Sequence, residues 1–130
     1  MIYQLMMNAT TAEQSGELLR SGLQPGTADM VRLPLDDGRW VALPRVYCDH
    51  DPFIEYDEED LCWSLDALLG LIPNVDGIDV ALCRVGEGQW RCVWNDTVSR
   101  GEKDFTGTPI DAACAMVTWL LHVGLIKPNG

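Results

Sequence analysis

The chain predicts an α+β fold: a small antiparallel sheet, built as two hairpins or a meander, with about three helices and the C-terminal helix buried against the strands. Thr108, Pro109 and Asp111 open a helix in which no side chain from residue 112 to 121 is charged, and a helix apolar nearly all round must be covered on most sides. Residues 31–44 and 78–96 alternate apolar and polar positions around glycine-bearing turns, which is the period of strands. Helical and strand patterns follow one another without a regular β-α-β alternation, so the strands pair antiparallel and the helices collect on one face.

The first helix is expected over residues 11–21. Thr10 followed by Glu13 has the form of a capping box, and Gly22-Leu23 has the form of a Schellman stop with Leu18 beneath Leu23. Glu13, Gln14, Glu17 and Arg20 keep most of its surface wet, so it should lie at the periphery. In the first hairpin Asp37-Gly38 is the loop; this pairs Leu35 with Trp40 and Leu33 with Ala42, and Pro34 keeps the hairpin short or at a sheet edge.

Residues 48–60 read as the longest loop, and Asp49, Asp51, Glu55, Asp57, Glu58, Glu59 and Asp60 fall within it, with Pro52 and Phe53 inside the run. Ser64 then caps a short inward-packing helix, with Asp66 at its positive end, Trp63 stapled onto Leu68 and Pro73 as its stop. The second hairpin turns at Gly86-Glu87-Gly88. Pairing Val85 with Gln89 sets Leu82 opposite Cys92, Val80 opposite Trp94 and Arg84 opposite Trp90, a cation–π geometry, and sends Cys83 and Cys92 to opposite faces. A third short strand ends at Phe105. His122 in the last turn of the closing helix complements the helix dipole.

The 130 residues are the size of one ordinary domain, expected to span residues 1–130, with residues 1–8 outside the ordered part or ahead of the true start at Met6 or Met7. Residues 1–7 carry no basic leader and no small-residue cleavage site, so they do not read as a signal peptide. The closing helix is interrupted by Asp111 and His122 and capped as in a water-facing protein, which argues against a membrane partner. Twenty acidic against nine basic residues give a formal charge of −11, which repels a phosphate backbone and makes nucleic acid an unsuitable direct partner. Five cysteines, an odd number without a close pair, fit reduced thiols in a cytoplasm.

No catalytic residue, cofactor or metal site is assigned. Cys48, Asp49, His50 and Asp51 place three kinds of metal ligand side by side, and a metal protein or enzyme using them is the alternative reading; the spacing matches neither a zinc knuckle nor a calcium-binding EF loop. No serine or cysteine sits in a glycine elbow. Of the five tryptophans, Trp94 and Trp119 are expected in the core and Trp63 in the staple, leaving Trp40 and Trp90 near hairpin ends as candidate interface anchors.

Three segments, Thr27-Ala28-Asp29-Met30, WSLDALLGLIP from Trp63, and TPIDAACAMVTWLLHVGLI from Thr108, together resemble small uncharacterised proteins of prophages and other mobile elements of Bacteroidetes. The likeness runs through most of the chain in the same order. It implies a bacterial cytoplasm and a phage or mobile-element accessory role, and supplies no activity, cofactor or catalytic residue. With the charge distribution it leads to a non-enzymatic protein that binds a host or phage protein through Trp40, Asp49, Asp51, Glu55, Asp57, Glu58, Glu59 and Asp60, in its sharpest form as an acidic imitator of nucleic acid. A homodimer formed through Ala112, Ala115 and Trp119 of the closing helix is a further expectation.

Overall fold

The computed structural model describes residues 9–127, so the expectations for residues 1–8 lie outside the described part. Among the described residues, helix α1 (Ala12–Arg20) leads into strands β1 (Met30–Pro34) and β2 (Trp40–Pro44), helix α2 (Arg45–His50), strand β3 (Leu61–Cys62) and helix α3 (Leu65–Leu71). Strands β4 (Ile78–Gly86), β5 (Gln89–Asp96) and β6 (Glu102–Gly107) follow, and helix α4 (Pro109–His122) closes the fold. The architecture is α+β. Among the described residues the strands form two antiparallel sheets, ordered β2-β1-β3 and β4-β5-β6, with four α-helices where about three were expected.

Helix α4 begins where its residues dictate. The Thr108 side chain accepts the Asp111 amide, and Pro109 occupies the first turn, where its missing N–H costs nothing. Gly107 joins β6 to this cap at φ 146°, and a Cβ there would come within 3.0 Å of the Asp111 Cβ, so the junction admits glycine alone. Two sides of α4 are buried in different clusters. Ile110, Ala113, Cys114, Val117 and Leu121 pack with Leu18, Val31, Leu61, Trp63 and Leu68, whereas Ala112, Met116 and Leu120 pack with Cys92 and Trp94 of the second sheet. Val117 and Leu120 are fully buried.

Shelter is incomplete on the third side. Asp111 and His122 are exposed and Ala115, Thr118 and Trp119 are half-buried, so this stripe floors a groove of about 750 Å³ against α1 and β6. Trp119, expected in the core, is therefore a wall of that groove and meets Trp94 edge-on at a centroid distance of 6.2 Å. The face proposed for self-association does not exist as a unit, because Ala112 is covered by the second sheet while Ala115 and Trp119 look into the groove.

The cap of α1 falls one residue later than expected. Thr11, not Thr10, accepts from the Gln14 amide, and the Gln14 side chain accepts from the Thr11 amide, closing the capping box without Glu13. Thr10 is buried instead: its hydroxyl donates to Ser15 Oγ at 2.8 Å, since Ser15 itself donates to the Thr11 carbonyl, and accepts the Trp63 amide at 2.9 Å. The Schellman stop is as expected, with the Leu23 amide on the Leu18 carbonyl and the Gly22 amide on that of Leu19.

The first hairpin is slipped by one residue. The loop is Asp36-Asp37-Gly38, closed by the Leu35 amide on the Arg39 carbonyl with Gly38 at φ 85°, so Leu33 faces Val41 and Pro34 faces Trp40. A three-residue loop ending in left-handed glycine replaces the two-residue turn, and the slip changes every cross-strand partner. Val31, Leu33, Val41 and Leu43 then share one face and Arg32 and Trp40 the other. In the second hairpin Val80, Leu82 and Arg84 meet Trp94, Cys92 and Trp90 as expected, while Gly86 pairs with Gln89 and Val85 bulges out. Arg84 donates to the Gly86 carbonyl rather than stacking, and β6 runs two residues past Phe105.

Candidate functional site: an acidic face beside Trp40

The acidic run is largely structured. Residues 45–50 form α2, residues 58–60 a 3-10 turn, and only the intervening stretch is irregular. That stretch alternates: Ile54 and Tyr56 turn toward the main core while Glu55 and Asp57 point out. Polar bonds hold it in place. The Tyr56 hydroxyl donates to Asp49 Oδ1 and accepts from Arg45 Nε at 3.3 Å, while Arg45 Nη1 reaches the Pro25 carbonyl at 2.9 Å. Asp51 accepts the Phe53 amide at 2.9 Å, and Asp60 accepts the Asp57 amide at 2.9 Å.

The fold divides the expected site residues into two groups. Trp40, Glu58, Glu59 and Asp60 meet around one groove of about 480 Å³, whose other walls are Ala12, Gly16 and Leu19 of α1 and Arg32 of β1. Arg32 lies 4.6 Å from the Trp40 ring centroid, a cation–π pair that holds the indole upright with 38% of its surface exposed. Asp49, Asp51, Glu55 and Asp57 are not in this groove. They flank a second feature that the sequence reading passed over: Val46, Tyr47 and Phe53 are 65%, 56% and 93% exposed. Phe53 inside a carboxylate run was the available signal, since an aromatic held out by an Asx turn has no core to serve. Trp90, the other candidate anchor, is half-buried.

The metal-ligand arrangement is not assembled. Cys48 is 1% exposed and belongs to the main core cluster, whereas Asp49 and His50 are at the surface, because successive residues of a helix point in different directions. Among the described residues no three histidine, cysteine or carboxylate side chains come together to hold an ion. Burial raises the Cys48 thiol pKa, and the neighbouring Asp49 and Asp51 charges raise it further. Burial also pushes Cys62 to about 12 and Cys92 and Cys114 to about 11, so these thiols stay protonated near neutrality and serve as small apolar side chains.

The segment Thr27-Ala28-Asp29-Met30 and the segment that opens at Trp63 are joined in space. Trp63 Nε1 donates to Thr27 Oγ1 at 3.0 Å, and Asp29 accepts both the Ser64 amide, at 2.9 Å, and the Ser64 hydroxyl, while that same hydroxyl oxygen caps α3 by accepting the Ala67 amide. No protein-family model, curated protein or solved structure matches this chain. Among the described residues no helix is long and apolar enough to cross a membrane.

Proposed function

We propose that this is a non-enzymatic, cytoplasmic accessory protein of phage or mobile-element type that acts by binding another protein through its acidic face. The observation that supports this reading is the gathering of Glu58, Glu59 and Asp60 around the same groove as a half-exposed tryptophan. Carboxylates on a rim steer and select a basic partner, and an indole that is already rigid loses little entropy when covered. With a chain charge of −11, the partner surface that fits is one that normally accepts nucleic acid, and the protein acts as its inhibitor. Affinity purification from the native host with the wild-type chain and with the triple variant Glu58→Ser, Glu59→Ser, Asp60→Asn, which neutralises the carboxylates of the groove, tests the reading. A specific partner held by the wild type alone, and displaced by added DNA or RNA, is expected. Equal capture by the triple variant refutes the acidic face, and indifference to nucleic acid refutes the imitation.

A further inference from the structure

We infer that the outer edge of β4 is a strand-addition site for a second copy of this chain, joining two β4-β5-β6 sheets into one continuous six-stranded sheet. Among the described residues β4 pairs only with β5, so one side of this nine-residue strand carries backbone groups without a strand partner. The ladder identifies them. The Thr97 amide bonds the Gly77 carbonyl at 2.8 Å, and residues 77 and 97 lie in the register that pairs Ile78 with Asp96. Hydrogen-bonded pairs therefore fall on odd positions of β4, and Val80, Leu82 and Arg84 aim their N–H and C=O groups at the open edge. The Ile78 amide agrees, because it turns away from β5 to the Val75 carbonyl.

The two edges of this sheet differ in how they are guarded. Strand β6 exposes Glu102, Lys103 and Asp104 in succession, a charged row that discourages pairing. Strand β4 runs Val80, Ala81, Leu82, Cys83 without a charge, and its only charged residues, Asp79 and Arg84, cancel. In a chain of formal charge −11 this neutral edge is a place where a second, equally acidic copy can approach. Beside it lies an apolar groove of about 390 Å³ whose walls include Leu69, Ile72, Val80 and Leu82, positioned to take alternate side chains of an added strand.

Antiparallel pairing about a two-fold axis through Leu82 satisfies all three open positions, matching Leu82 with its copy and Val80 with Arg84. Pairing centred on Ala81 would instead require the Ile78 amide, which is already bonded. In the Leu82 register the two Asp79 side chains stand ~20 Å apart and the two Arg84 ~13 Å, from the rise of a strand, so no like charges face each other.

Sedimentation velocity at low and high micromolar concentration, with amide exchange at the higher one, tests the inference. A dimer that grows with concentration is expected, with the Val80, Leu82 and Arg84 amides slowed on association and those of Ala81 and Cys83 unchanged. Val80→Pro removes an edge donor without touching the β5 ladder, and Cys83→Lys places a charge on the exposed edge; each should weaken the dimer by about tenfold or more. Because Cys83→Lys alters an exposed side chain, it serves if the proline variant fails to fold. A monomer at every concentration overturns the inference, as does a dimer that Cys83→Lys leaves intact or one without the alternating amide protection.

Discussion

Single residues in this chain take their roles from what surrounds them, and the cysteines show it most directly. Four of the five are buried and Cys83 alone is exposed. An aromatic disulfide reagent should therefore titrate one thiol in the native protein and five after denaturation, and Cys83→Ser should abolish the native reaction; more than one fast thiol would contradict the packing. The raised pKa values fix a direction with pH. A thiol whose pKa rises on folding favours the native state fully below the unfolded value of 9.0, and that contribution is lost as pH climbs toward 11 to 12. Denaturant midpoints should hold steady between neutrality and about pH 9 and fall above it, with Cys62→Ala less sensitive over the alkaline limb. The displacement of the first cap is also a residue-scale matter. Thr10 and Thr11 are equivalent in the sequence, and only the buried pair with Ser15 and the Trp63 amide decides that Thr10 goes inside.

At the level of elements, local chemistry was legible wherever it closed on itself. The caps at Ser64 and Thr108, the stop at Gly22-Leu23 and the register from Val80 to Arg84 each depend on residues a few positions apart. The first hairpin was not legible, because Asp37-Gly38 serves a two-residue or a three-residue loop equally well, and the choice is made by which face of β1 reaches the core. The acidic run was misread for a related reason. Charge predicts exposure but not backbone form, so α2 and the 3-10 turn lay concealed within it, and the assembly of Trp40 with Glu58–Asp60 depends on α1 and β1, which are distant in sequence. A prediction belongs here. Trp63 is wholly buried and bonds Thr27, so Trp63→Ala should cost about 3–5 kcal/mol. Trp63→Phe keeps most of the packing and should cost less, because the Thr27 hydroxyl loses only the indole N–H and still donates to the Gln24 carbonyl at 2.7 Å. Chemical denaturation of both variants decides it, and equal losses would mean that the indole hydrogen bond outweighs the packing.

For the molecule as a whole, α4 determines whether the two sheets behave as one body. Its Val117 side faces the cluster around Trp63, and its Met116 and Leu120 side faces Trp94, so neither sheet can lose its core without exposing half of the same helix. Folding should then be a single cooperative event. Leu120→Ala, which touches only the second cluster, should cost about 2–5 kcal/mol and should lower the denaturation midpoint of both halves together. Trp63→Phe and Trp94→Phe in turn leave fluorescence reporting on one cluster more than the other, and far-ultraviolet dichroism follows the helices. Coincident transitions from the three probes, before and after Leu120→Ala, are expected. If the Trp94 signal moved alone while the Trp63 signal stayed at the wild-type midpoint, the second sheet would be an independently melting unit, and α4 would be a helix of the first cluster against which that sheet merely rests.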